Sequence, residues 1–534
     1  MTTSFLPGTT TPPLLEETVG ALLARRAAED PERLALVGTR HGDGEPVRLT
    51  RAELLAEARC VATALAGLAA PGEPVALWAP NVVEWPVIEY GAALAGVVLV
   101  ALNPVLRRPE LEYALGHCRA TVLLHADASR GYDMGAVARE VADAAGLTRV
   151  SLAETSRWRA EAPDDAVVAA EPTDPSAPVM LQYTSGTTGN PKGVLLRHRS
   201  LVNVAHLTME AARAPSGAVC VNPLPMFHTA SCVIGTLGPL VVGGTEVLVE
   251  QFEPNSVLDL LRREEASVLF YVPAVLGALL EAQRASDSPA PTLQVAMGGA
   301  ATVSPTMIQA AEDVFGASVI NLFGQTELAP VLTATRPDDA HADQLETVGR
   351  PLPHVDVKIV DPASGEVVPL GEPGEICARG YQQMIGYLHD DAATAATVDA
   401  DGFVHTGDLG ALDERGYLRL TGRLKELIIR KGENIAPPEI ENCLDAHAAV
   451  AAVAVVGLPD EQAGEIVAAV VRLRGEPSAG LRDELVAHCR ERLSPHKIPA
   501  CWFVVDEFPM TPTQKVQKFR LAEAAGRGEL RELV

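Results

Sequence analysis

Two stretches of this chain hold residue types suited to anion chemistry. Residues 183–194, YTSGTTGNPKGV, combine three glycines, the hydroxyls of Thr184, Ser185, Thr187 and Thr188, and Lys192. Glycine lets backbone N–H groups turn toward a bound group and hydroxyls add neutral donors, so phosphate oxygens suit this stretch. Without further context it also reads as a polar surface turn, as most Gly/Ser/Thr runs do. It is not a Walker A loop, because Pro191 precedes Lys192 and Gly193 follows it where that motif needs Gly-Lys-Ser/Thr. Near the other end, PMTPTQKVQKFR, residues 509–520, gathers Lys515, Lys518 and Arg520 in an otherwise acidic chain. Other chemistries lack their signatures: there is no GxSxG, no HExxH and no GxGxxG.

The elements that must hold these residues alternate in type. LTRAELLAEARCVATALAGL reads as an amphipathic helix opened by a Thr50 to Glu53 capping box, EPVALWA as a buried strand, VVEWPVIEYGAALAG as a helix and VVLVAL as a strand. Such βαβ alternation predicts a largely parallel sheet covered by helices. Further strands are expected at TVLLH, PVMLQYT, TEVLVE, SVLFYV, LQVAMGG and SVINLFG, so the glycine-threonine stretch follows a strand. After about residue 355, shorter runs separated by DPASGE, GEPGE and DERGY predict antiparallel β structure. A final α/β segment follows, with strands AAVAVVGL, EIVAAVVRLR and CWFVVDEF around the helix LRDELVAHCRERL. The fold class is therefore α/β: a large N-terminal domain of mostly parallel sheets covered by helices with a β-rich subdomain, then a small α+β C-terminal domain.

Whole-chain numbers agree. With 534 residues, 47% hydrophobic, the chain can bury a large core and at least two domains. Lys plus Arg total 43 against 69 Asp plus Glu, and a net charge of −26 with no segregated basic face argues against nucleic-acid binding. Eight cysteines without CxxC spacing, and an N-terminus lacking a basic segment before an apolar run, predict a reduced, cytoplasmic protein. The longest apolar run, GAALAGVVLVALNPVL, is interrupted too soon for a bilayer span, so no membrane span is expected.

The motifs together resemble the AMP-forming adenylating superfamily of acyl-CoA synthetases, firefly-type luciferases and peptide-synthetase adenylation domains. Tyr183–Val194 is similar to its phosphate-binding signature. In the family's order and approximate spacing follow PLPMFHTAS with His228, MGGAAT from Met297, NLFGQTE from Asn321 to Glu327, and HTGD ending at Asp408. GRLKELIIRKGENIAPPEIE from Gly422, LSPHKIP and TPTQKVQKF complete the series, so the resemblance covers nearly the whole chain.

The resemblance implies an acyl-CoA ligase that makes a thioester from a carboxylic acid through an acyl-adenylate, using ATP, Mg2+ and coenzyme A. It implies a division into 1–422, which binds adenylate and acyl group, and 423–534, a mobile C-terminal domain. Thr184, Ser185, Gly186, Thr187, Thr188 and Lys192 would meet phosphate. Phe323 would stack an adenine face while Gly298, Gly299 and Ala300 keep the opposite wall thin, with Asn321 and Gly324 beside the nucleotide. Asp408, in a short turn, would accept the ribose hydroxyls, and Arg423 would face ribose and phosphate. Thr326 would offer its hydroxyl to the α-phosphate and Glu327 a hard oxygen to Mg2+. Lys515 would stand between the two anions that must react, with Thr184 and Glu327 as its catalytic companions. His228, Met297, Gly298 and Gly299 would wall the acyl site, Lys425 would be the hinge, and Gly432 would line the coenzyme A channel. Lys518 and Arg520 read at least as well as solvated charges. A homodimer is compatible with the sequence.

One position departs from the family. Gln514 stands where glycine usually precedes the catalytic lysine. If that loop needs a positive φ, the side chain costs on the order of 1 kcal/mol, and a misplacement of Lys515 by about 1 Å can cost on the order of a hundredfold in rate. A weak adenylation half follows, and with it a different emphasis: a ligase that mainly thioesterifies a pre-formed acyl-adenylate. An adenylating enzyme for another acceptor and a non-catalytic nucleotide-binding paralogue would carry many of the same motifs. Against the paralogue, Glu327, Asp408, Arg423 and Lys515 are all present. His228 stands where amino-acid adenylating domains place an acidic partner for the substrate ammonium, which favours an acid lacking an α-amine. Small residues in MGGAAT and TASCVIG suit a long-chain, aryl or polycyclic acid, and equally suit tight helix packing.

Overall fold

The computed structural model describes residues 3–42, 44, 46–161, 171–184, 191–299, 303–430, 433–460, 463–510 and 516–533. The chain divides into two compact units: Pro7–Val357 with Ala378–Val404, and Met1–Leu6 with Lys358–Cys377 and His405–Val534.

The larger unit is built on two sheets. In the seven-stranded sheet, Pro178–Thr184, Val98–Leu102, Pro74–Trp78, Val122–His125 and Thr148–Ser151 run parallel in that order. Lys192–Arg197 and then Gly386–Tyr387 close one edge antiparallel. The nine-stranded sheet has six parallel strands at its centre, among them Val268–Tyr271, Val295–Gly299 and Ser318–Phe323. Its core gathers Val221, Val247, Leu269, Ala296, Leu276 and Phe315. The expected capping box is present at Arg51–Ala66: Thr50 Oγ1 accepts from the Glu53 N–H, and Glu53 accepts from the Thr50 N–H. Helix Glu84–Ala95 is buried on every side, as its apolar composition requires.

In the smaller unit, Val404–Leu412 pairs antiparallel with Leu418–Arg423, the β structure expected after residue 355. A separate sheet carries the C-terminal strands: Val450–Asp460 and Gly464–Leu473 form a hairpin, and Cys501–Val504 runs parallel to the latter. One face of this sheet buries Leu444, Val455, Val471 and Leu485, and the other Ala454, Val470, Phe503 and Leu521. Alternate residues of each strand therefore supply two small cores. No helix among the described residues is long and apolar enough to cross a membrane.

Candidate active site

In the larger unit, the glycine-threonine stretch joins two strands paired so that Thr184 stands opposite Lys192. Thr184 Oγ1 donates to the Lys192 carbonyl at 3.4 Å. The strand before it is anchored by Tyr183, whose hydroxyl donates to the Ala114 carbonyl at 2.8 Å. Lys192 Nζ lies 4.6 Å from the centre of the Tyr387 ring. The Tyr387 hydroxyl donates to Glu327 Oε1 at 2.8 Å, so the lysine of YTSGTTGNPKGV and the acid of NLFGQTE meet on one tyrosine side chain. Burial, then the neighbouring Glu327 charge, pushes the Tyr387 phenol above its ordinary value, which keeps it a donor.

Glu327 and Thr326 occupy a short 3-10 turn, Thr326–Leu328, following the strand that carries Asn321 and Phe323. The Asn321 N–H donates to Thr335 Oγ1 at 2.8 Å, and Phe323 is half-buried. Gly298 lies opposite Asn321 and Gly299 opposite Leu322 in parallel register. A Cβ on Gly298 would overlap the Tyr271 carbonyl, one on Gly299 the Leu322 carbonyl, and one on Gly324 the Pro330 carbonyl, so only glycine lets these chains approach. Met297 is fully buried between them.

His228 lies half-buried in the turn before a π-helical segment, Ala230–Gly235, its ring 4.4 Å from that of Phe227. Below this turn is a buried polar chain that the sequence did not reveal. Ser231 Oγ donates to the Leu224 carbonyl (2.8 Å), and Glu246 Oε1 accepts from Asn222 Nδ2 (2.8 Å) and Thr236 Oγ1 (3.2 Å). Burial pushes Glu246 up to about 8, with those two bonds pulling the other way. Glu89, 3% exposed, is raised well above the carboxylate range by burial and then by Glu246, and neither of its oxygens has a hydrogen-bond partner among the described residues.

In the smaller unit, Asp408 lies within the strand Val404–Leu412, not in the short turn expected from HTGD. Gly407, with φ of 70°, supplies the local bend inside a continuous strand. Asp408 faces Arg423 across the strand pair, and Arg423 Nε donates to Asp408 Oδ1 at 2.7 Å. Glu375 holds the preceding residues: its Oε1 accepts from the Gly407 N–H at 3.0 Å and its Oε2 lies 2.8 Å from His405 Nδ1. With Cys377 these two offer ligand atoms within 4.8 Å of one another. The carboxylate is already engaged on both oxygens, so the trio acts as a clasp on the strand bearing Asp408.

Lys425 is exposed in a 3-10 turn, Leu424–Glu426. Lys518, which from sequence read at least as well as a solvated charge as a ligand contact, is partly buried between Glu441 Oε1 (2.8 Å) and Glu426 Oε2 (3.2 Å). Burial opposes its charge, but the two glutamates outweigh it and raise its pKa. Arg520 is exposed. Ser185, Gly186, Thr187, Thr188, Ala300, Gly432, Gln514 and Lys515 lie outside the described residues. Met510 and Val516, which flank the stretch with Gln514 and Lys515, form an antiparallel bridge.

Known proteins match along this whole arrangement. A family model described as AMP-binding enzyme matches residues 23–388, and one described as AMP-binding enzyme C-terminal domain matches 439–515. The putative acyl-CoA synthetase YngI of Bacillus subtilis is 35% identical across 96% of this chain and 97% of its own length. The chain belongs to the AMP-binding enzyme family, among its AMP-forming acyl-CoA ligases. Within that family it is also 35% identical to the 3-[(3aS,4S,7aS)-7a-methyl-1,5-dioxo-octahydro-1H-inden-4-yl]propanoyl:CoA ligase of Rhodococcus jostii RHA1, across 93% of this chain and 97% of that protein. The anthranilate CoA ligase AuaEII, solved with anthranoyl-AMP, superposes with a TM-score of 0.87 at 25% identity, covering 96% of this chain and 98% of that one. The expected α/β class, with a large N-terminal and a small C-terminal domain, is thereby met. Ligases of this type use ATP and coenzyme A, and neither an enzyme for a different acceptor nor a non-catalytic paralogue is favoured.

Proposed function

We propose that this ligase acts on a carboxylic acid lacking an α-amine, with Glu327 and the Thr184–Lys192 hairpin holding magnesium-bound ATP. The observation that supports this is the shared backing of the two motifs by Tyr387. A substrate carboxylate oxygen attacks the α-phosphorus, the bond to the bridging oxygen breaks and pyrophosphate departs. A carboxylate alone would have to expel oxide; the adenylate offers AMP as leaving group. The coenzyme A sulfur then attacks the acyl carbon, the C–O bond to AMP breaks, and the thiol proton is lost.

In this reading Glu327 would supply a hard oxygen to Mg2+ carried with ATP, an ion that would lower the charge of the phosphates. The fit is sound: Glu327 is half-buried, one oxygen is fixed by Tyr387, and among the described residues nothing bonds the other. Lys515 would stand between the anions, as the resemblance implies. Phe323 stacks the base and Asp408 with Arg423 meets the ribose. His228, Met297, Gly298 and Gly299 line the acyl site. The working division is 1–422 and 423–534, with Lys425 as the exposed pivot and Gly432 at the coenzyme A channel. Eight cysteines without CxxC spacing suit a reducing, cytoplasmic location.

The test supplies ATP, Mg2+ and coenzyme A with aliphatic, aryl and polycyclic acids and with α-amino acids, and quantifies AMP and thioester. Equimolar AMP and thioester with acids lacking an α-amine is the expected result. Release of ADP, or a preference for α-amino acids over their des-amino counterparts, would overturn it.

A further inference from the structure

Residues 384–388 carry no catalytic motif, yet this short segment touches both phosphate-site motifs. The Met384 N–H donates to the Glu327 carbonyl at 2.9 Å, the Ile385 N–H to the Leu195 carbonyl at 2.8 Å, and the Leu388 N–H to the Gly193 carbonyl at 2.8 Å. Gly386 and Tyr387 add an edge strand to Lys192–Arg197, with Tyr387 opposite Val194. Backbone bonds thus fix the segment against the hairpin on one side and the acidic turn on the other. The Tyr387 side chain repeats the connection, its hydroxyl on Glu327 Oε1 and its ring face beneath Lys192 Nζ.

We propose that Tyr387 is a positioning residue for the adenylation step: it clamps one oxygen of Glu327 so that the other is presented to the cation travelling with ATP, and it seats Lys192 beside the phosphates. This rests on the reading of Glu327 given above. Three features support it. Tyr387 is 9% exposed and its N–H is bonded to Thr394 Oγ1 at 2.9 Å, so the ring has little freedom to leave. A carboxylate clamped on one oxygen binds through a single oxygen, which suits a cation that demands octahedral geometry and keeps several waters. A cation over an aromatic face keeps its N–H donors for a phosphate while the ring offsets part of its charge. Partners behind a metal-ligating group typically change affinity or activity by about 10–100-fold when removed.

Tyr387→Phe removes the hydroxyl alone, keeping the ring under Lys192 and the buried volume. Binding of a non-hydrolysable ATP analogue is measured by calorimetry with Mg2+ and with EDTA, for the full chain, Tyr387→Phe and Glu327→Gln. The expected result is that Tyr387→Phe weakens binding roughly tenfold or more with Mg2+ and leaves the metal-free affinity as it was, with pyrophosphate exchange requiring more Mg2+ for half-maximal rate. If Tyr387→Phe binds the magnesium complex like the unsubstituted chain while Glu327→Gln does not, the clamp is refuted and the reading of Glu327 stands. If Glu327→Gln also binds normally, that reading falls. Equal weakening of both forms in Tyr387→Phe would mark a structural role and refute the clamp as well.

Discussion

Glu246→Gln should make the protein more stable, increasingly so as pH rises. Glu246 is fully buried and its pKa is pushed from 4.5 to about 8. The folded chain therefore keeps this proton across a window in which the unfolded chain has released it. Stability falls as pH climbs through that window and levels off above the folded value. Each pH unit is worth about 1.4 kcal/mol, so at pH 7 the retained proton costs the folded state on the order of 3 kcal/mol. Glutamine matches the shape of the protonated acid and keeps a carbonyl oxygen where Oε1 accepts from Asn222 and Thr236. It does not titrate. The groups facing Glu246 are Glu89, Tyr90, Cys220 and Cys232, each held toward its neutral form first by burial, and none is a cation that would favour an ionised Glu246. Melting temperatures of both proteins between pH 5 and 8.5 provide the assay. Near pH 5 the two should nearly coincide, and at pH 7 the variant should melt higher by roughly 4 °C for a unit of several hundred residues. A difference that stays constant with pH, or shrinks as pH rises, would refute the assignment of a retained proton.

Three further outcomes are expected. Gln514→Gly should raise the rate of acid-dependent pyrophosphate exchange without changing thioester formation from synthetic acyl-adenylate and coenzyme A; no gain would mean the loop accepts glutamine unstrained. Lys518→Met leaves Glu426 and Glu441 beside each other without their shared cation, and should lower stability by roughly 2 kcal/mol, read as a lower melting temperature that Lys518→Arg partly restores. Gly299→Ala places a Cβ against the Leu322 carbonyl and should part Val295–Gly299 from the strand Ser318–Phe323 that bears Asn321 and Phe323, weakening nucleotide binding in calorimetry by about tenfold or more.

Elements whose signal is local were legible in the sequence. The capping box at Thr50, the valine-rich strands and the glycine-threonine stretch each announce themselves within a dozen residues. Contacts across long separations did not. Tyr387 meets Glu327 from 60 residues away, and an aromatic at the edge of a two-residue strand reads as packing until its partner is known. Charge misleads in the same way. Glu246 within TEVLVE and Glu89 inside an apolar helix look like solvent-facing interruptions, yet both are buried, because the polar chain through Asn222 and Thr236 gives one of them partners. Lys518 looked solvated for want of any local sign of Glu441, more than seventy residues earlier. Asp408 was expected in a turn because Thr-Gly-Asp commonly makes one; here the paired strand on one side and Glu375 on the other extend the backbone through it.

The pairing of Asp408 with Arg423 bears on how a ribose could be received there. Arg423 is about half exposed while Asp408 is nearly buried, with side-chain exposures of 49% and 6%. A pair with one solvated partner contributes about 0–1 kcal/mol, so moving the guanidinium aside costs little. The carboxylate, by contrast, cannot swing to meet a ligand, since its backbone is fixed by the strand pairing and by the Glu375 bond to Gly407. The arginine is thus the movable member and the aspartate the fixed one. On the proposed reading, ribose hydroxyls donate to an acceptor already in place, while Arg423 turns from Asp408 toward phosphate. The fixed acceptor has lost its ordering entropy on folding, so that cost is not met again when nucleotide binds. Removing the clasp with Glu375→Ala should therefore weaken nucleotide binding although Glu375 is assigned no contact with ribose or phosphate. An unchanged affinity in calorimetry would show that the strand pairing alone holds Asp408.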